Sequence, residues 1–186
     1  KATATVRTTI NRCEFTGNNT PSEGGAIYLS ANAPLDCVNS VFKGNSSRSG
    51  GAVLLGGSSP ARFTNCHFTG NVSSGVGGAV YCAASDTIFS QCVFSANRAA
   101  QTGGAIYQYP SSNGFIPRFC NSILWNNQSG GSTSSSEATI GTQVYSEVTA
   151  SFSACIVQYS GGSSNWKPGF GVNGGNNQDA DPRFVL

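Results

Sequence analysis

A short glycine-rich motif returns four times at nearly constant spacing, and it constrains the fold more than any other feature of the sequence. Gly-Gly-Ala followed by Ile or Val recurs at steps of 26, 27 and 26 residues. The glycine pairs of the motif are Gly24 and Gly25, Gly50 and Gly51, Gly77 and Gly78, and Gly103 and Gly104. A fixed period between about 20 and 50 residues indicates an architecture of stacked structural repeats.

A second motif, Phe-x-x-Asn, runs in phase with the first. Its phenylalanines are Phe15, Phe42, Phe68 and Phe94, and its asparagines are Asn18, Asn45, Asn71 and Asn97. Aligned on this motif, the chain contains six copies of a longer block, and the last two steps lengthen to 30 and 33 residues. We therefore expect insertions in the last two repeats.

The repeating unit has the periodicity of β-strands. Within each block a Cys or Ser lies two residues before the Phe, and no stretch shows the i, i+3, i+4 apolar spacing of a helix. A unit of this size cannot bury its own apolar face, whereas stacked units share a continuous core. The sequence predicts an all-β, right-handed parallel β-helix of about six rungs, with 26–33 residues per rung.

Each motif has a structural interpretation within such a stack. The four phenylalanines are predicted to form one interior column. The glycine pairs supply backbone conformations and close approaches that a side chain would prevent. The column of Ile27, Val53, Val80 and Ile106 is expected to face inward, so that Tyr28, Leu54, Tyr81 and Tyr107 lie beside the turn or face outward.

The asparagines have two interpretations. They fall where the strand should turn, and stacked Asn side chains can bond to one another along the axis. Alternatively, Asn18, Asn45, Asn71 and Asn127 begin N-glycosylation sequons. An asparagine that is stacked inside the helix could not accept a glycan.

The chain is predicted to be one domain, with repeats over residues 1–157 and a loop-rich cap over residues 158–186. Tyr109–Gly114 and Asn126–Ser136 are interpreted as insertions, the second of them as a flexible surface loop. In the cap, Trp166 and Phe170 are expected to shield the last rung, because the terminal repeat of a stack usually departs from the repeat pattern in order to cap the core.

The two repeated motifs resemble those of a known family. Gly-Gly-Ala-[Ile/Leu/Val] alternating with Phe-x-x-Asn, from Phe15 to Ile106, is similar to the polymorphic outer membrane proteins of chlamydiae, which are β-helical adhesins. The tail, with Asn121–Asn127 and Asp179–Phe184, resembles secreted right-handed β-helix repeat proteins of environmental bacteria. These resemblances imply a bacterial, extracellular or cell-surface setting.

Seven cysteines raise the question of disulfides. Cys13, Cys66, Cys92 and Cys155 share one column, in which Ser40 and Ser122 fill the gaps. At about 4.8 Å per rung, the Cα atoms of Cys66 and Cys92 lie within disulfide range, so this pair is a possible disulfide. The alternative is a buried ladder of reduced thiols.

Composition and spacing weigh against several kinds of chemistry. A net charge of +2 with scattered basic residues does not favour nucleic-acid binding, and there is no apolar run long enough to span a membrane. The cysteine spacing and the single histidine, His67, do not suit a metal site, and no cofactor is expected. The four Asp and four Glu residues show no paired arrangement of the kind used for glycoside hydrolysis, so we expect no enzyme activity.

These observations favour a structural or adhesive protein outside the cell. The chain begins at Lys1 without a signal peptide, which suggests a removed leader or precursor, or a segment cut from a larger protein. The segment Thr3–Ile10 is expected to pair with another strand, which is either a further rung of a longer precursor or, if the mature chain starts at Lys1, another copy of the chain. Pairing with another copy would produce end-to-end fibres or arrays. The expected partners are the protein itself or cell-surface and matrix glycans.

The alternative to a structural or adhesive role is a carbohydrate-binding or polysaccharide-degrading protein that uses aromatic residues, chiefly Trp125, Trp166 and Tyr109.

Overall fold

A computed structural model of the chain describes residues 7–30, 33–57, 59–83, 86–109, 115–130, 143–146 and 150–184. Every strand pairing within these ranges is parallel, and the strands form four sheets that run along one axis. The fold is the predicted parallel β-helix.

The first sheet has seven strands, Thr8–Asn11, Leu35–Val38, Ala61–Thr64, Thr87–Ser90, Arg118–Cys120, Ser151–Ser153 and Val172–Asn173. The second sheet has six strands, Glu14–Thr16, Val41–Lys43, His67–Thr69, Val93–Ser95, Ile123–Trp125 and Ile156–Val157. The third sheet has four strands, Ser46–Ser47, Val72–Ser73, Arg98–Ala99 and Gln128–Ser129. The fourth sheet has five strands, Ile27–Leu29, Val53–Leu55, Val80–Ala83, Ile106–Tyr109 and Val144–Ser146.

The number of complete rungs is smaller than the sequence predicts. Within the described residues, only the four rungs that begin at Leu35, Ala61, Thr87 and Arg118 carry a strand in all four sheets. The second sheet does contain six strands, which is the number that the repeated block predicts. The helix therefore has about four full turns with a partial turn at each end.

Two parallel stacks of phenylalanine form the centre of the core. Phe15, Phe42, Phe68 and Phe94 stack at ring-centroid distances of 4.9, 4.7 and 4.7 Å. A second stack, which the sequence analysis did not predict, joins Phe63, Phe89, Phe119 and Phe152 at 5.2, 5.1 and 4.7 Å. Rings of the two stacks meet edge to face, as Phe89 and Phe94 do at 5.1 Å, which is a favoured aromatic geometry.

The fourth sheet has the expected orientation. Val53, Val80 and Ile106 are fully buried, and Ile27 at the first rung packs partly against the core. Their neighbours Tyr28, Tyr81 and Tyr107 face outward, because successive residues of a strand point to opposite faces. Leu54, in register between Tyr28 and Tyr81, is buried, with 3% of its surface exposed.

The segment predicted as a cap covers the last rung in part. Two short 3-10 helices, Ser163–Asn165 and Pro168–Phe170, lead into the last strand of the first sheet. Phe170 is buried, and the Trp166 ring lies 5.6 Å from that of Phe152. The indole nitrogen of Trp166 donates to the carbonyl of Gly171 at 2.8 Å. The polar end of Trp166 is therefore satisfied while its ring rests on the core.

The prediction of a surface loop over Asn126–Ser136 is wrong for the part of it that the structure describes. Gln128–Ser129 forms a strand of the third sheet, and Asn127 is buried, although the sequence predicts a flexible loop there. The strand forms because it continues the register of Arg98–Ala99 in the rung before it. Residues 131–136 of the predicted loop, and 110–114 of the other insertion, lie outside the described residues.

Candidate functional site

A ladder of asparagine side chains runs beside the phenylalanine stacks. The Nδ2 atom of each Asn donates to the Oδ1 atom of the Asn in the next rung, at 2.8 Å from Asn18 to Asn45 and 3.0 Å from Asn45 to Asn71. The ladder continues at 2.9 Å from Asn71 to Asn97 and 2.8 Å from Asn97 to Asn127. The repeats thus bring the four predicted asparagines together, and they add Asn127.

Each ladder amide also satisfies the backbone of its neighbours. The Nδ2 atom of Asn71 donates to the carbonyl of Phe42 at 2.9 Å, and the backbone N–H of Asn71 donates to the Oδ1 atom of Asn97 at 3.0 Å. At the last rung the ladder ends on glutamines, because Asn127 donates to the Oε1 atom of Gln143 at 2.7 Å. This arrangement holds the turn between the second and third sheets rather than offering groups to a ligand.

The glycine pairs lie where the fourth sheet begins, and their two members have different roles. Gly24, Gly50, Gly77 and Gly103 all have a φ between 62° and 70°. Gly51 does not, but a Cβ atom there would collide with the carbonyl oxygen of Gly78 in the next rung. The first glycine therefore provides a left-handed conformation, and the second permits close approach of rungs.

The structure shows the cysteines as thiols, without the possible disulfide between Cys66 and Cys92. All seven are free thiols, and Cys37, Cys66, Cys82, Cys92 and Cys155 are buried. The sulfur of Cys66 lies 3.9 Å from that of Cys37, which belongs to a different column. Burial raises the pKa of the Cys155 thiol to about 11, so that thiol stays protonated at neutral pH. His67, the nearest base in sequence, is exposed on the other side of its strand from Cys66.

The aromatic residues that were candidates for ligand binding are not brought together. Trp125 lies on the outer face of the second sheet, Trp166 lies in the C-terminal segment, and Tyr109 is exposed at the end of a strand of the fourth sheet. Tyr109 is 51% exposed, whereas Trp166 packs partly against the core. These three side chains therefore do not define one surface.

A different aromatic row lies on the outside of the fourth sheet. Tyr81 and Tyr107 stack at 5.3 Å, and Tyr107 and Tyr145 stack at 5.2 Å, with the rings nearly parallel. Both faces of the Tyr107 ring are therefore covered by neighbouring tyrosines. The sequence placed Tyr81 and Tyr107 in this column but did not predict Tyr145, which lies at the end of the long last insertion, where the glycine motif is absent.

All four aspartates make contacts within the protein. Asp36 pairs with Arg7 at 2.8 Å and Asp86 pairs with Arg118 at 2.8 Å, both at the surface of the first sheet. The two carboxylate oxygens of Asp179 accept from the backbone N–H groups of Tyr159 and Gly161 at 2.9 Å each. Asp181 accepts from the backbone N–H of Arg183 at 2.9 Å.

A shallow, open groove of about 320 Å³ lies beside the third sheet, where Asn19, Pro21, Arg48 and Val72 contribute to its walls. Within the ranges that the structure describes, no three His, Cys, Asp or Glu side chains are grouped so that they could hold a metal ion. The same ranges contain no helix of the length and apolarity needed to cross a membrane.

The geometry defines a parallel β-helix repeat protein whose asparagine and phenylalanine ladders lie inside. The sequence model of one family, described as "Right handed beta helix region", matches residues 2–173. The chain belongs to this right-handed β-helix family. Searches of curated proteins and of solved structures found no match.

Proposed function

We propose that this protein is a non-enzymatic structural or adhesive β-helix that acts outside the cell. The observation that supports the proposal is that the amide, aromatic and aspartate side chains of the protein make contacts with other parts of the fold. The asparagine ladder, the two phenylalanine stacks and the aspartates all stabilise the rod itself. What the molecule presents to a partner is therefore a rigid, regular surface.

The contacts of the aspartates are the most direct support for a non-enzymatic function. Hydrolysis of a glycoside requires two carboxyl groups that flank one bond, either about 5–5.5 Å or about 6.5–9.5 Å apart. Asp36 and Asp86 are each held by an arginine, and Asp179 is held by two backbone N–H groups. Each of these three carboxylates therefore already has a partner within the protein.

The alternative of a carbohydrate-binding protein has weaker support. A sugar ring stacks on the open face of an aromatic side chain, but neighbouring rings cover the faces of Tyr107. Tyr28, at 54% exposure, and Tyr109 are the more open tyrosines of this sheet. The resemblance to chlamydial adhesins supports adhesion to a surface, and the glycans of that surface are the partners we propose.

One experiment separates the adhesive function from polysaccharide cleavage. Purified protein is incubated with pectin-like and other polysaccharides, and new reducing ends or unsaturated products are measured over time. In parallel, protein-coated beads are tested for attachment to cells with and without enzymatic removal of surface glycans. We expect no cleavage, together with attachment that falls when the glycans are removed. Sustained cleavage by the purified chain would overturn the proposal, as would beads that bind no better than uncoated ones.

End-to-end association through Thr3–Ile10 remains a prediction within this proposal. Only Arg7 to Ile10 of that segment lie in the described residues, where Thr8–Asn11 pairs with Leu35–Val38 in register. Light scattering at micromolar protein concentration, followed by electron microscopy, tests for assemblies that extend along the β-helix axis. A protein that stays monomeric over this range would contradict the prediction but not the adhesive role.

A further inference from the structure

Two buried thiols meet diagonally between adjacent rungs. The sulfur atoms of Cys37 and Cys66 lie 3.9 Å apart, and both side chains are fully buried. The Cys66 thiol also contacts the carbonyl oxygen of Cys37 at 3.4 Å. Cys37 lies on a strand of the first sheet, and Cys66 lies at the corner that follows this sheet in the next rung.

The same diagonal contact, from a corner residue to the first sheet of the preceding rung, recurs along the helix. Comparing these contacts shows how the pair of Cys37 and Cys66 differs from the others. The Cys92 thiol contacts the carbonyl oxygen of Phe63 at 3.4 Å, and the Ser122 hydroxyl contacts that of Phe89 at 3.4 Å. The backbone geometry is thus repeated, but the partner on the first sheet carries a phenyl ring. In the described rungs, the diagonal has a thiol at both ends only at Cys37 and Cys66.

A vertical pair such as Cys66 and Cys92 has less suitable geometry. Side chains stacked in register point the same way, so their Cβ atoms stay one rung, about 4.8 Å, apart. A disulfide needs Cβ atoms about 3.5–4.5 Å apart. The vertical pair therefore meets the distance criterion for Cα atoms but not the one for Cβ atoms.

We propose that Cys37 and Cys66 form a disulfide when this chain folds in an oxidising compartment. Their sulfur atoms have to close from 3.9 Å to about 2.0 Å. The bond cross-links two rungs through residues 29 positions apart in sequence. It goes beyond the proposed function, because it depends on no ligand and no surface.

The reaction requires an oxidant, and oxidised glutathione is a sufficient one. The thiolate of one cysteine attacks the glutathione disulfide and releases one glutathione thiol. The second cysteine then attacks the mixed disulfide and releases the other. The two protein thiols lose two protons and two electrons, and the glutathione disulfide is reduced to two thiols.

The bond forms during folding, before the core closes. Neither thiol is accessible in the folded protein, because both side chains are fully buried. A buried, protonated thiol reacts slowly with a disulfide, because the thiolate is the attacking species. A chain that has folded under reducing conditions therefore keeps both thiols.

The test is a disulfide map after oxidative refolding. Unfolded, reduced protein is refolded in a mixture of reduced and oxidised glutathione, alkylated in denaturant, and digested with chymotrypsin without reduction. Chymotrypsin is needed because no Lys or Arg separates Cys66 from Cys92. We expect one cross-linked peptide that joins Cys37 to Cys66, with five of the seven cysteines alkylated.

Matched variants complete the test. Cys92→Ser removes an equally buried thiol of the same column and should retain the cross-link, whereas Cys37→Ser and Cys66→Ser should lose it. A Cys66–Cys92 peptide, or seven alkylated cysteines in refolded wild-type protein, would overturn the inference. The wild-type map decides the question even if a variant does not fold. Attachment of beads to cells is measured separately, so either proposal can fail alone.

Discussion

The Nδ2 atom of Asn71 donates to the Oδ1 atom of Asn97 at 2.9 Å, and both side chains are fully buried. The same oxygen of Asn97 accepts from the backbone N–H of Asn71, and the same nitrogen of Asn71 donates to Phe42. Each rung thus satisfies the polar atoms of its neighbours. A column of amides is tolerated inside the protein because buried polar groups are costly only when they lack partners.

Asn71→Ala should destabilise the helix strongly. The substitution leaves the backbone N–H and the side-chain amide of Asn45 without their shared acceptor, and the carbonyl of Phe42 without its donor. Because each buried unsatisfied group costs about 1–3 kcal/mol, we expect the free energy of unfolding to fall by roughly 2–5 kcal/mol. Urea denaturation followed by circular dichroism measures the change.

Asn18→Ala is the matched control for this prediction. Asn18 is exposed at the first rung of the ladder, and it donates to Asn45 by the same two contacts. Its removal still leaves the Oδ1 atom of Asn45 with the backbone N–H of Asn18 as a donor, so the loss should be clearly smaller. Equal losses for the two variants would mean that the ladder contributes through something other than its buried hydrogen bonds.

Gly51→Ala should disrupt the stack more than Gly44→Ala, although only Gly44 has a positive φ, of 61°. At Gly44 no atom lies within 4 Å of a new Cβ atom, so the cost is the left-handed conformation alone, about 1–2 kcal/mol. At Gly51 the new atom would collide with backbone oxygens of Gly78 and Val72 in the next rung. Backbone cannot rotate away, so the two rungs must separate.

The measurement is the urea midpoint of each variant beside wild type. A Gly51→Ala protein as stable as Gly44→Ala would show that the rungs can separate without loss. Such a result would contradict the close-approach role of the second glycine in each pair.

The sequence predicted the stacking of repeats correctly because the motifs repeat at the level of single residues. Pairing is in register for Phe15, Phe42, Phe68 and Phe94, so the motif alignment is also the structural alignment. The same logic placed Val53 and Val80 inward. A one-residue slip would have turned these side chains to the outer face, so a fixed period strongly specifies the register.

What the sequence did not predict lies between columns rather than along them. The second phenylalanine stack was missed because its column begins with Ile10 and Cys37 before Phe63, so no repeated motif marks its first rungs. The contact of Cys37 with Cys66 crosses from one column to another. Such diagonal contacts depend on how the corner turns, and spacing along the chain does not report that angle.

Glycosylation should be confined to one of the four sequons. Asn45, Asn71 and Asn127 are at most 4% exposed, and their amide nitrogens are donors inside the core. Asn18 is exposed. When the chain is secreted from a yeast host, we expect the folded product to carry a glycan at Asn18 alone, as mapped by mass spectrometry after endoglycosidase treatment. A soluble, folded product with a glycan at Asn71 would contradict the ladder.

Alkaline pH should destabilise the protein through Cys155. Burial raises the pKa of its thiol from 9.0 to about 11, so the unfolded chain loses this proton at lower pH than the folded chain does. The contribution of Cys155 to the free energy of unfolding is therefore fully present below pH 9, and it is lost as the pH rises to about 11.

Cys155→Ser isolates this contribution, because serine already occupies the same column at Ser40 and Ser122 and its hydroxyl does not ionise in this range. We expect the stability of wild type relative to Cys155→Ser to fall by up to about 3 kcal/mol between pH 8 and pH 11. Other groups that ionise there, such as Tyr81, whose pKa burial also raises, are common to both proteins and cancel in the difference. Urea denaturation under reducing conditions at each pH provides the measurement. A difference in stability that does not change with pH would show that the Cys155 thiol ionises as readily in the folded protein as in the unfolded chain.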